Sequence, residues 1–152
     1  MNQSRRMDPL LRRAQDLQDE VARDLAERQK TLDTHVSRLA ELRTYAEEYA
    51  NAQMAATSPA QLMNRRAFLD RLDSAVQQQS QTVDRNREHV DTERARLLLA
   101  SRDKQVLEQL AASYRAQEKQ VLDRRDQREM DDLGARRVRQ AQTGAGDSGE
   151  SA

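Results

Sequence analysis

The chain has 152 residues, 34% of them charged and 36% hydrophobic, with 26 basic and 26 acidic side chains and no cysteine. That balance is too poor in apolar groups for an ordinary globular core, and it rules out a disulfide framework and thiolate chemistry. The two charge signs are interleaved, so there is no basic face to grip nucleic acid, and no apolar run approaches the ~18 residues of a membrane span.

Ala, Leu, Glu, Lys and Arg supply 75 of the 152 residues, the share expected of long helices and coiled coils. The basic N-terminal stretch lacks the apolar segment of a secretory signal. The expected location is therefore cytoplasmic.

The first helix is predicted over residues 9–52. Asp8 is placed to cap it and Pro9 suits the first helical position. Leu10, Ala14, Leu17, Val21, Leu25, Leu32, Val36 and Leu39 recur at three- and four-residue steps, with one step of seven between Leu25 and Leu32. Leu10, Val21 and Leu32 are eleven apart, as are Ala14, Leu25 and Val36. An eleven-residue period does not demand a left-handed supercoil.

A turn is expected over residues 53–58. Ser58, Pro59 and Gln61 then fit the cap, first and third positions of a second helix, predicted over residues 59–138. Leu69, Val76, Val83, Val90 and Leu97 form a heptad series, beside a more polar seam at Leu72, Gln79, Asn86, Glu93 and Ala100. The polar seam is expected to lower stability while fixing register. Leu107, Leu110, Tyr114 and Val121 continue the stripe. Residues 141–152 are rich in glycine and without a large apolar side chain, so a disordered tail is expected.

These elements predict an all-α protein, one domain over residues 1–140. Two long helices fold as an antiparallel coiled-coil hairpin, because each must bury its stripe. Residue 10 is expected beside roughly residue 104, leaving about 30 residues of the second helix overhanging the first. The overhang carries Leu110, Tyr114, Val121, Leu122, Met130 and Leu133, which suggests a partner. A homo-oligomer zipped through the overhang is the alternative.

No catalytic constellation is present. His35 and His89 stand without a second ligand at metal spacing. Glu129, Asp131 and Asp132 lack the turn and oxygen spacing of a calcium loop. No cofactor and no enzymatic activity are expected.

Three of the four aromatic residues, Tyr45, Tyr49 and Phe68, flank the turn. Leu42, Tyr45 and Tyr49 share one helix face, and Phe68, Leu72 and Ala75 share another. Each stripe is offset by about 100° from its core stripe. The two either form a contact patch on the flank or close the hairpin at its turn.

Three stretches together resemble the FliJ family of flagellar type III export proteins. They are "SRLAELRTYAEEY", "NRRAFLDRLDSAVQQQ" and "DRRDQREMDDLGARR", and the resemblance covers residues 5–139. It implies a stalk that enters the hexameric export ATPase (FliI-like), touches the export gate protein (FlhA-like) and handles export chaperones, at the cytoplasmic face of the inner membrane. The equivalent stalk of a virulence secretion system is a further alternative. Carried over by motif, the gate patch is Leu42, Tyr45, Tyr49, Phe68, Leu72 and Ala75. The ATPase-facing end is Gln127, Met130, Asp131, Asp132 and Arg136. Arg38, Gln79 and Gly134 depart from the family's usual residues.

Overall fold

Ser58 opens the longer of two helices. Its hydroxyl accepts the Gln61 N–H at 3.2 Å, and its carbonyl takes the first bond of the ladder, from the Leu62 N–H at 3.2 Å. This is the cap the sequence predicts, with Pro59 at the first helical position. The structure, a computed structural model, describes residues 3–52 and 58–146. They form α1 (Gln3–Asn51, 49 residues) and α2 (Pro59–Gly146, 88 residues). The fold is all-α, two helices folded back on each other antiparallel, with no strand among the described residues.

Two helix ends differ from expectation. α1 begins at Gln3, so Pro9 lies inside it and Asp8 is not its cap. An internal proline removes one ladder bond and costs about 3 kcal/mol. Tertiary contacts offset that cost: Ser4 is tied to Glu118, and Met7 is buried. α2 also continues past residue 140 to Gly146. No proline interrupts it, and the Thr143 hydroxyl lies 3.0 Å from the carbonyls of Arg139 and Gln140. Residues 53–57 of the turn expected over 53–58, and the expected tail beyond 146, lie outside the described residues.

The chain packs as two units, one of Met1–Arg12 with Gln105–Ala152 and one of Arg13–Lys104. In the second, the antiparallel sense is written in its cross-helix pairs. His35 meets Gln79, Arg28 meets His89, Asp24 meets Arg96 and Gln18 meets Ser101. The α1 number falls as the α2 number rises.

The α1 face in this unit follows a heptad, which corrects the eleven-residue reading. Ala14, Gln18, Val21, Leu25, Leu32, His35, Leu39, Leu42, Ala46 and Tyr49 are buried or half-buried, with Arg28 completing the three-four alternation. Leu17 and Val36 lie outside the seam, 46% and 39% exposed. On α2 the predicted heptad and its polar companion are both turned inward, from Leu69 and Leu72 to Ala100 and Lys104. This double heptad is the pattern of left-handed coiled coils. Val21, Val83 and Val90 are each 2% exposed and anchor the seam.

Polar seam residues are answered either across the interface or by their own helix. Gln79 Nε2 donates to the His35 carbonyl at 3.0 Å and lies 3.2 Å from its Nδ1. Gln18 Nε2 donates to the Ser101 hydroxyl at 2.9 Å. Glu93 is held by Arg96 at 2.8 and 3.0 Å, and Asn86 bonds the Thr82 carbonyl of its own helix. No buried side-chain nitrogen or oxygen among the described residues lacks a partner, as stability requires.

In the other unit, Ser4, Met7 and Leu11 of α1 and Leu107, Ala111, Tyr114 and Glu118 of α2 are buried or half-buried. Leu10 and Leu110 are exposed and lie off the seam, whereas Val121 holds the next seam position after Glu118 and is exposed. Tyr114 lies inside the paired part. The unpaired stretch of α2 starts after Glu118, later than expected, because α1 starts six residues earlier and because the pairing register is shifted toward the C-terminus of α2, as the Gln18–Ser101 and Ser4–Glu118 pairs show. Residues 119–144 are all exposed.

Candidate interaction surfaces

Heptad geometry explains the offset aromatic stripes. Tyr45 and Phe68 sit one position to the side of the seam, on the flank where an antiparallel pair brings its edges together. Phe68 meets Tyr49 with ring centroids 4.6 Å apart and planes at 61°, and meets Tyr45 at 6.5 Å and 84°. Both are edge-to-face contacts. Tyr49 and Phe68 are half-buried, while Tyr45 is 50% exposed.

Of the six residues expected in the turn-side patch, Leu72 is buried in the seam. Leu42, Tyr49, Phe68 and Ala75 are half-buried. Tyr45 alone stands largely in solvent. The patch therefore closes the hairpin and presents an edge at the same time. Beside it Arg38, Glu41, Leu42, Tyr45 and Gln79 line an open hollow of ≈ 380 Å³. Gln79 is at the rim because its amide is bound to His35.

Arg65 is the residue that sequence reasoning missed. Its Nη2 lies 2.8 Å from the Ala52 carbonyl, 3.1 Å from Ala50 and 3.4 Å from Tyr49. These are carbonyls that a helix end leaves free, and a cation there also suits the helix dipole. The signal was the missing glycine at the end of α1: another group had to cap it.

The five residues expected at the far end are all exposed on α2. Gln127 Nε2 donates to Asp131 Oδ1 at 3.2 Å, and Arg125 pairs with Glu129 at 3.5 Å. Asp132 and Arg136 share a shallow hollow of ≈ 280 Å³ with Glu129 and Leu133, while Met130 stands in solvent. The seam positions of α2 continue through this stretch as Val121, Arg125, Arg128, Asp132, Ala135, Arg139 and Gln142, four of them charged. Charged groups at these positions cannot join an apolar zipper. Among the described residues no cluster of His, Cys, Asp or Glu could hold a metal ion, and no helix is long and apolar enough to cross a membrane.

A family model described as "Flagellar FliJ protein" matches residues 3–143. The chain belongs to the FliJ family. The family is one of non-catalytic components of flagellar type III protein export, and membership makes this chain a component of that export apparatus. Neither the curated proteins nor the solved structures yield a match. In this FliJ chain the turn-side edge and the polar end of α2 are two separate candidate surfaces on one helix pair.

Proposed function

We propose that this FliJ-family chain acts as the stalk of the flagellar export machine. The polar end of α2 enters the hexameric export ATPase and favours its assembly and turnover. The flank at Leu42, Tyr45, Tyr49, Phe68, Leu72 and Ala75 contacts the export gate, and the chain escorts export chaperones. It works in the cytoplasm, peripheral to the inner membrane through these partners, and carries no catalysis of its own.

The observation that supports this most is the stretch over residues 119–144. It is helical, exposed all round, and charged at four of its seam positions, Arg125, Arg128, Asp132 and Arg139. Such a helix gains little by zipping onto a second copy along that seam, and suits a wet, polar surface on a different protein. Gln127, Asp131, Asp132 and Arg136 offer donors and acceptors there.

The test has two arms on purified full-length protein. Truncation after residue 120 should abolish stimulation of ATP hydrolysis by the export ATPase, and unchanged stimulation would sink that assignment. Tyr45→Ala should weaken gate binding with helicity kept. A stable dimer at micromolar concentration in analytical ultracentrifugation would favour the self-zipped alternative.

A further inference from the structure

Two helix starts compete at the beginning of α1. Asp8 followed by Pro9 has the local chemistry of a cap and first helical residue, yet α1 starts at Gln3 and runs through both. Residues 3–8 are thus helical against their local preference. Proline gives no N–H to the Arg5 carbonyl, and it disfavours helical geometry at Asp8.

What holds this segment is α2 of the same unit. The Ser4 N–H donates to Glu118 Oε1 at 3.1 Å, and the Ser4 hydroxyl donates to Oε2 at 2.7 Å. Met7 is buried, and Ala111 on α2 is 1% exposed. α1 has no acidic residue in its first turn. Glu118 therefore supplies from outside the negative charge that a helix start favours. Gln3, Tyr114, Gln117, Glu118 and Val121 line a hollow of ≈ 200 Å³ at the edge of this contact.

We propose that α1 has two alternative starts, and that residues 3–8 form an arm that opens and closes over Tyr114 and Glu118. Closed, the helix begins at Gln3 and Glu118 caps it. Open, it begins at Pro9, with the Asp8 carboxylate accepting the N–H groups of Leu10 or Leu11. Opening costs the Ser4 bonds and the burial of Met7, and relieves the internal proline. It also extends the unpaired stretch of α2 back to Tyr114. The arm sets how much of α2 is free, whichever partner α2 meets, so it does not depend on the stalk reading.

Amide hydrogen exchange by NMR on the full chain tests this. In the wild type the Met7 and Asp8 amides should exchange at least about tenfold faster than that of Val21, reporting local opening. Glu118→Gln should raise their exchange by about threefold or more and leave Val21 unchanged. Asp8→Asn and Asp8→Val separate two starts from simple fraying. All three residues have similar helix propensity, but only Asp and Asn cap. Asp8→Asn should behave as wild type, and Asp8→Val should slow exchange at Met7. Equal effects of the two substitutions, or wild-type exchange at Met7 matching Val21, would overturn the proposal.

Discussion

Arg65 of α2 holds the carbonyl of Ala52, the residue just past the end of α1, at 2.8 Å, with Ala50 and Tyr49 just behind. One guanidinium thus closes the ladder end from the neighbouring helix. Arg65→Ala should cost about 1 kcal/mol, below the roughly 1.5–3 kcal/mol of a buried bond to a charged group because the site is partly exposed. Urea unfolding gives the number. Amide exchange should rise first in the last turn of α1, and exchange unchanged there would remove the clamp.

The seam assignment separates buried from exposed aliphatic residues that look alike in sequence. Val21→Ala or Val83→Ala should each cost about 2 kcal/mol, from two lost methyl groups and the cavity left. Leu17→Ala and Val36→Ala should each stay within about 0.5 kcal/mol. An eleven-residue seam would make Val36 as costly as Val21, so thermal melts of the four variants decide between the periods.

Glu118 gives a pH dependence. The hydrogen bonds from the Ser4 side chain and backbone hold its carboxyl below the usual range, with a smaller contribution from Arg5. A carboxylate lowered in this way adds stability that is complete above its unfolded value, about 4.3, and is lost as pH falls through the folded value. The stability difference between wild type and Glu118→Gln should be level from about pH 5 to 8 and shrink below about pH 4. A difference that stays constant into the acid range would show that the Ser4 bonds do not depend on the charge.

Gly134 has ordinary helical geometry and nothing within 4 Å of where a Cβ would stand. Gly134→Ala should strengthen the local helix by about 1 kcal/mol. The gain belongs to an exposed stretch, so helical content and local exchange report it better than the melting temperature. A loss of helix would show that Gly134 serves a contact the free chain does not make.

The α2 heptad was legible because valine and leucine fill one of its two series. The α1 heptad was not. Its positions include Gln18, Arg28 and His35, while Leu17 and Val36 sit outside. Hydropathy favours the wrong face when polar seam residues are matched by partners on another helix, because those partners cannot be seen along one segment. The start of α1 was misplaced for the same reason: Asp8 and Pro9 speak for local geometry, and Glu118 lies 110 positions beyond Asp8. The aromatic patch was legible as a cluster. Its division into Leu72 inside, Tyr49 and Phe68 half inside and Tyr45 outside required the fold.

The charged seam of residues 125–139 also bears on crowding. Where α2 has lost α1 it is a bare helix, and bare helices of many copies could stack into fibres. With Arg125, Arg128, Asp132 and Arg139 where leucines would zip, and only Ala135 between them, each such encounter strips water from charges for little apolar contact in return. The free end stays available because its own kind is a poor match for it.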